Sequence, residues 1–269
     1  MFKNDWGEYH RCAGISAELQ RMDQSLMARY WTEDSGNYEK VVRAELEGWQ
    51  SLAWKRLLCE LLPKSARTAL DFGCGPGFFS FLLCELGLEV TAIDCSGGML
   101  EKARKLSSRL KRPATFIQTD IETASFPNSA FDVIVSRNVT WTLPRPESVY
   151  RKCLEFLKPG GRLLVFDANW NLPLFDPDLA ARCKAREEAC IRQYGSTFDG
   201  GAMTLSLDLS SLPLSSKVRP AWDLETLPRL GFTRVRALPG LIDRLWSDKE
   251  KLLYGETPLF GVVAEKPAE

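Results

Sequence analysis

Hydrophobic positions along the chain follow two alternating periods. Between residues 41 and 62 they recur at helical spacing, and Pro63 ends this segment. From Thr68 onward, short runs of consecutive apolar residues alternate with helically spaced segments. Continuous apolar runs are typical of parallel strands that helices cover on both faces, so the pattern predicts an α/β fold. The predicted strands are 68–72, 89–94, 115–120, 131–136, 162–167, 232–238 and 259–265, and the predicted helices are 78–86, 98–110, 147–157, 177–194 and 223–230.

Two segments depart from this alternation. Residues 1–62 have mixed helical character, and we expect them to form an N-terminal helical cap ahead of a main domain at 63–269. Residues 169–220 contain one predicted helix followed by a polar stretch rich in serine and glycine. A connection of this length is too long for a plain turn and is typical of functional segments. We therefore expect an inserted lid or substrate cap after the fifth strand.

The composition excludes several classes of protein. The 269 residues include 35 Lys plus Arg and 35 Asp plus Glu, so the formal net charge is zero. Such a chain lacks the bulk positive field on which non-specific nucleic-acid binding depends. Its one histidine, His10, rules out a multi-histidine metal site and disfavours a serine–histidine hydrolase. We predict neither a metal nor a nucleic-acid partner.

Cysteine placement and hydropathy indicate the compartment. The eight cysteines are scattered without a Cys-x-x-Cys pair, as expected for reduced thiols in a cytoplasmic protein. Residues 1–5 lack the basic and apolar regions of a signal peptide. No run of about 18 apolar residues is present, so we expect no integral membrane association.

A glycine-rich loop follows the first predicted strand. Residues 73–77 read Gly-Cys-Gly-Pro-Gly and lead directly into a helix. Glycine lets a ligand approach the backbone, and the helix that follows offers it free N–H groups. Asp94 ends the next strand, about 20 residues further on, where an acid can accept hydrogen bonds from both ribose hydroxyls. The pattern predicts an adenosine-type cofactor at the carboxyl ends of the strands.

Acidic residues near the loop distinguish between adenosine cofactors. Asp71 stands two residues before Gly73, where it would repel a pyrophosphate but suit a cationic ligand, and Asp120 ends the third strand. The spacing Gly-x-Gly-x-Gly also differs from the dinucleotide pattern Gly-x-Gly-x-x-Gly. S-adenosylmethionine carries a sulfonium and an ammonium group, so it is the predicted cofactor.

These motifs resemble those of the class I S-adenosylmethionine-dependent methyltransferases, and the match runs from about 68 to 167 and continues through the last strands. The resemblance implies a Rossmann-like sheet of seven mostly parallel strands with helices on both faces. It places the 71–77 segment around the methionine moiety and Asp94 at the ribose. It also places Met99 on the adenine and Asn138 where the methyl group passes. The cofactor-binding residues that it implies are Asp71, Gly73, Cys74, Gly75, Gly77, Asp94, Cys95, Met99, Asp120, Ile121 and Asn138.

The acceptor is expected to be a small molecule, because aromatic residues cluster near the expected methyl site. Such rings can wall an aromatic acceptor or hold a cationic amine. Asp167 ends the fifth strand as a candidate base or amine anchor, and Tyr38 is the other candidate base. The candidate acceptor contacts are Tyr30, Trp31, Trp141, Asn169 and Trp170.

Several alternatives stay open. Residues 138–141 read Asn-Val-Thr-Trp, unlike the Asn/Asp-Pro-Pro-aromatic motif of nucleic-acid amino-methyltransferases. The methylated atom can be oxygen, nitrogen or carbon. A quinone C-methyltransferase of the menaquinone/ubiquinone type is one alternative, and a non-catalytic S-adenosylmethionine-binding protein is another. The oligomeric state is also open, with a homodimer among the alternatives.

Overall fold

Seven strands form one mixed sheet in the computed structural model, which describes residues 24–197 and 208–268. The strands are β1 (Thr68–Phe72), β2 (Glu89–Asp94), β3 (Thr115–Gln118), β4 (Phe131–Arg137), β5 (Leu157–Asp167), β6 (Thr233–Ala237) and β7 (Phe260–Glu265). Their order is β3-β2-β1-β4-β5-β7-β6. Strands β1 to β5 pair in parallel, whereas β7 is antiparallel to both β5 and β6. The predicted seven-stranded, mostly parallel sheet is therefore confirmed.

Helices cover both faces of this sheet. Within the described residues they are α1 (Gln24–Glu47), α2 (Trp49–Leu61), α3 (Phe78–Glu85), α4 (Gly97–Leu110), α5 (Pro146–Phe156), α6 (Pro177–Tyr194), α7 (Ala221–Arg229), α8 (Leu241–Leu245) and α9 (Asp248–Tyr254). Successive side chains of a strand point to opposite faces. Accordingly Val133 and Val135 belong to one buried cluster, while Ile134 between them belongs to the other. This double burial explains the continuous apolar runs in the sequence.

The topology places a crevice beside β1. Chain order runs outward from β1 to β2 and β3 on one side and to β4 and β5 on the other. The loops after β1 and β4 therefore leave the sheet in opposite directions, which opens a space at their carboxyl ends. The glycine loop lies at this switch point.

Some predicted boundaries are wrong. The helical pattern at 41–62 is two helices, because Gly48 is extended (φ −90°, ψ 179°) and caps the start of α2. Strand β5 begins at Leu157 rather than at 162, since the Pro-Gly-Gly segment continues the strand past an irregularity opposite Phe131–Val133. The short helices α8 and α9 were not expected, because five and seven residues are too few to establish a helical period.

The segment after β5 is tied to the main domain on its described parts. Helix α6 packs on α9, and Arg186 on α6 donates to Glu256 at 2.7 Å and to the Leu252 carbonyl at 3.2 Å. Residues 198–207 and His10 lie outside the described ranges. Across 24–197 and 208–268, none of the helices is long and apolar enough to cross a membrane.

Candidate active site

A cleft opens at the carboxyl ends of β1, β2 and β4. Its empty volume is about 890 Å³, including open solvent at the mouth. The glycine loop forms its floor, and helix α1 contributes the opposite wall through Met27, Trp31, Tyr38 and Val42. All but one of the residues expected to bind cofactor line this cleft, namely Asp71, Gly73, Cys74, Gly75, Asp94, Cys95, Met99, Asp120, Ile121 and Asn138.

The glycines of the loop have different tasks. Gly73 (φ 65°) packs under Val139, and a Cβ there would lie 2.4 Å from a Val139 methyl. Gly75 (φ 53°) faces the cleft, where its nearest neighbour is the Tyr38 ring at 3.6 Å from a built Cβ. Gly77 lies outside the lining, because it caps α3 in a left-handed conformation against Phe81. Gly73 and Gly77 thus shape the turn, and Gly75 leaves the backbone accessible.

Asp94 ties the tip of β2 to the glycine loop. Its Oδ2 accepts from the Gly75 N–H and its Oδ1 from the Ser96 N–H, both at 2.8 Å. Burial raises the pKa of this carboxyl to about 6, although the two N–H donors oppose the rise. A carboxylate oxygen has about two acceptor sites, so each oxygen keeps capacity for a further donor such as a ribose hydroxyl.

Asp71 at the end of β1 is the most perturbed acid of the cleft. It is 2% exposed and accepts a 2.6 Å hydrogen bond from the Ser80 hydroxyl. Burial raises its pKa to about 7 despite that bond. Burial also raises the pKa of Asp120, whose Oδ1 accepts from the Glu122 N–H at 2.9 Å. A cation entering the cleft would favour the ionised form of all these carboxyls.

The last residue of β4 and the residue that follows it present contrasting groups. Asn138 has a left-handed backbone (φ 58°), and its buried Oδ1 has no hydrogen-bond partner among the described residues. Arg137 also lines the cleft, where Glu45 of α1 receives hydrogen bonds of 3.0 and 2.5 Å from its guanidinium. Sequence reasoning missed Arg137. Its position directly before Asn138, at the end of a buried strand, was the available signal.

Helix α1 docks on the N-terminal part of α4. The hydroxyls of Thr32 and Ser96 lie 2.9 Å apart, and Lys102 contacts Glu39 at 3.3 Å. Ser96 also caps α4 by accepting from the Met99 N–H at 3.1 Å. The N-terminal region therefore contributes one wall of the cleft.

Tyr38 lies at the centre of that wall. Burial raises the pKa of its phenol, with the Arg137 charge and an Asn138 hydrogen bond opposing the rise. The phenol is therefore neutral near pH 7, and it suits a hydrogen-bonding role better than that of a base. Its ring meets the Trp31 ring edge to face at 5.8 Å.

Asp167 does not fit the role of acceptor base. It is fully buried outside the cleft lining, and its Oδ2 forms an ion pair with Arg219 at 3.2 Å. Its remaining donors are the Thr140 hydroxyl, the Ala168 and Trp141 N–H groups and the Trp170 indole. Five donors, one of which is the ion-paired Arg219, leave this carboxylate no free side for an acceptor, so that expectation is wrong in this geometry.

The expected acceptor contacts separate into three groups. Trp31 lines the cleft, and Tyr30 and Trp141 stand behind it, with ring centroids 5.2 and 6.3 Å from that of Trp31. Trp170 instead meets the Tyr254 ring edge to face, with the centroids 5.4 Å apart. The Asn169 side-chain amide donates to the Arg219 carbonyl at 2.8 Å and accepts from the Arg219 N–H at 2.9 Å. Of these five residues, only Trp31 lines the cleft.

The order of the strands, the reversed β7 and the glycine loop facing an acid on β2 together define a Rossmann-like methyltransferase fold. Residues 70–165 match the family model described as "Methyltransferase domain". Over these residues the chain is similar to the methyltransferase family, in agreement with the resemblance of its sequence motifs.

Individual similarities are limited in length. The chain is 35% identical over 107 residues to a ubiquinone biosynthesis O-methyltransferase of Proteus mirabilis, covering 39% of this chain and 43% of that protein. It is 28% identical over 176 residues to phosphoethanolamine N-methyltransferase 3 of Arabidopsis thaliana, covering 64% of this chain and 36% of that protein. The chain thus spans less than half the length of these curated relatives.

A solved structure shares the fold. The phosphoethanolamine N-methyltransferase 2 of Haemonchus contortus, in complex with phosphomonomethylethanolamine and S-adenosylhomocysteine, aligns with a TM-score of 0.55 at 18% identity. The alignment covers 88% of this chain and 60% of that one.

Proposed function

We propose that this protein transfers the methyl group of S-adenosylmethionine to a small-molecule acceptor. The carrying observation is the set of three buried or half-buried carboxyls, Asp71, Asp94 and Asp120, around the open backbone of Gly75. A cationic sulfonium cofactor offsets their charge, whereas a dinucleotide would add phosphates to it. In-line displacement then requires alignment and exclusion of water, which the wall formed by α1 supplies.

The same geometry supports an assignment of the individual contacts. We assign the ribose hydroxyls to Asp94 and the adenine to the apolar side chains of Met99 and Ile121. Gly75 leaves room for the methionine moiety, and Asp71 supplies negative charge beside it. Two relatives, by their names, act in ubiquinone biosynthesis and on phosphoethanolamine, so small acceptors of different kinds are precedents for this domain.

Asp94→Ala tests the assignment. We expect the affinity for S-adenosylmethionine to fall roughly a hundredfold, because a ribose loses a charged acceptor worth about 3 kcal/mol. Isothermal titration calorimetry measures it, and Asp243→Ala is the matched control, since the Asp243 side chain is 79% exposed. Unchanged affinity in Asp94→Ala would refute the ribose assignment.

Catalysis needs a separate measurement. Release of S-adenosylhomocysteine on addition of an acceptor distinguishes an enzyme from a protein that only binds the cofactor. The same assay with quinol acceptors separates quinone C-methylation from methylation of oxygen or nitrogen. We further propose that the protein is cytoplasmic and that its acceptors are not nucleic acids. We also propose that residues 169–220 cap the site, and a homodimer is one candidate oligomeric state.

A further inference from the structure

Acidic side chains outnumber basic ones in the described lining of the cleft. Its described lining holds the carboxyls Asp71, Asp94 and Asp120 and a single cation, Arg137. The carboxyls lie around the glycine loop on the cofactor side, so Arg137 alone remains for an anionic group on an acceptor. Whether an acceptor can carry a phosphate or carboxylate therefore depends on the state of Arg137.

Arg137 is already neutralised and enclosed. Both terminal nitrogens bond Glu45, at 3.0 and 2.5 Å, and the Glu45 and Arg137 side chains are only 11% and 17% exposed. The guanidinium also stacks on aromatic rings, 4.6 Å from the Phe78 centroid and 5.2 Å from that of Trp54. An acceptor anion would have to displace a carboxylate that is already desolvated and bound at two points, which makes the exchange unfavourable.

The remaining groups suit an uncharged molecule that donates a hydrogen bond. Met27, Trp31, Val42, Phe78 and Phe79 are apolar lining residues from α1 and α3. The Asn138 Oδ1 is buried without a partner among residues 24–197 and 208–268, and leaving such an acceptor unpaired is costly. A ligand O–H or N–H would satisfy it, and the aromatic rings of Trp31 and Tyr38, which line the same cleft, favour a flat ligand.

We propose that the acceptor is a flat, uncharged molecule of the phenol or enol class, and that Glu45 excludes anionic acceptors by neutralising Arg137. The inference rests on the proposed function. As the acceptor oxygen forms its bond to the methyl carbon, the carbon–sulfur bond breaks and its electron pair returns to sulfur. The hydroxyl proton passes to water, and neutral S-adenosylhomocysteine remains.

Two matched probes test this inference on the full chain saturated with S-adenosylhomocysteine. Catechol is a flat neutral ring with two O–H donors, and phenyl phosphate carries a dianion on a ring of similar size. Ligand-observed NMR titrations give both dissociation constants. We expect catechol to bind at least tenfold more tightly than phenyl phosphate.

Removing the neutralising carboxylate should reduce or abolish the preference for catechol over phenyl phosphate. In Glu45→Gln, the freed guanidinium should raise the affinity for phenyl phosphate about tenfold or more, so the ratio of the two constants shifts by that factor. In Glu45→Gln/Arg137→Gln, both charges are absent and this gain should disappear. Glu39→Gln is the control on the same helix, because Glu39 pairs with Lys102 outside the cleft, and the ratio should stay at the wild-type value.

The outcomes separate the two proposals. A chain that fails to bind S-adenosylhomocysteine by calorimetry refutes the proposed function itself. A chain that binds it, yet binds phenyl phosphate as tightly as catechol or binds neither probe, overturns only the acceptor class. Loss of folding in Glu45→Gln would leave the wild-type ratio of the probes to decide.

Discussion

Carboxylates end several strands of one sheet, but those of β1 and β2 differ from that of β5. Within the part of the chain that the structure describes, Asp71 and Asp94 face the cleft with one and two hydrogen-bond donors and form no ion pair. Asp167 lies away from the cleft and is bonded by four donors in addition to Arg219. Aspartates at the same edge of the sheet are therefore available to a ligand at β1 and β2, whereas the aspartate of β5 is already saturated by structural hydrogen bonds.

The difference arises because a buried arginine, Arg219, lies beside the aspartate of β5. Arg219 ends the segment after β5, and its guanidinium bonds Asp223 at 2.8 and 2.7 Å and Thr140 at 2.7 Å as well as Asp167. It thereby joins that segment to the loop after β4 and to α7. A buried arginine needs such partners, and the acids that supply them cannot serve an acceptor. An acid at the end of a strand is therefore a candidate for ligand binding only where it forms no ion pair with a buried cation.

Removing the arginine is the strongest way to test this contrast. Arg219→Met leaves Asp167 and Asp223 buried without their cation, so we expect a loss of about 3–5 kcal/mol in the free energy of unfolding. Urea denaturation measures it. Arg182→Met is the control, because the Arg182 side chain is 53% exposed and pairs with Glu256 at 2.9 Å, and we expect it to cost under about 1 kcal/mol. Similar losses in both variants would contradict the distinction.

The cleft acids should respond to pH instead. Their unliganded pKa values are about 7 for Asp71 and about 6 for Asp94, above the ordinary 3.8. Between pH 7.5 and 5 they take up protons, so we expect the affinity for S-adenosylmethionine to fall by roughly tenfold or more. Calorimetry in buffers of different ionisation enthalpy should also detect proton release on binding. Affinity that is constant over this range would mean that neither acid faces the cation.

The same two acids give the free protein an opposite trend. Because their folded pKa values lie above the unfolded ones, the folded chain holds more protons between pH 4 and 7. Their contribution to stability is complete below pH 4 and is lost as the pH rises through 7. Affinity for the cofactor and stability of the free protein should thus change in opposite directions, which thermal unfolding with and without S-adenosylhomocysteine can measure.

Sequence patterns were enough to identify Asp71 and Asp94 as cleft residues, but they could not show that Asp167 is occupied by structural partners. The glycine loop and Asp94 are 19 residues apart and belong to one strand–helix–strand unit, so local pattern was enough to pair them. Asp167 and Arg219 are 52 residues apart, and Arg137 and Glu45 are 92 apart. Such pairs form only when separate elements pack together. Periodicity likewise gave the strands, whereas the break at Gly48 depends on the backbone of a single residue.

Ser80 allows a finer test of the cleft side. Its hydroxyl donates to Asp71 at 2.6 Å and holds the pKa of that acid below what burial alone would give. Ser80→Ala should raise this pKa and weaken S-adenosylmethionine binding about tenfold at pH 7, with a smaller loss at pH 8. Ser107→Ala is the control, because that hydroxyl donates to the Arg112 carbonyl at 2.7 Å near the end of α4. A loss that does not depend on pH would point to packing rather than to Asp71.

Tyr38→Phe should have the smallest effect, and it decides whether any base remains near the methyl site. Asp167 lies outside the cleft lining, so Tyr38 is the one expected base that lines the cleft. Burial nevertheless raises the pKa of its phenol and keeps it protonated. The ring over Gly75 persists in phenylalanine, so we expect the affinity for S-adenosylhomocysteine to change less than about twofold and turnover less than about tenfold. Tyr38→Ala, which removes the ring, should weaken binding more. A turnover loss of a hundredfold or more in Tyr38→Phe would show that the hydroxyl moves the proton, and the acceptor would then not need to be acidic enough to lose it to water.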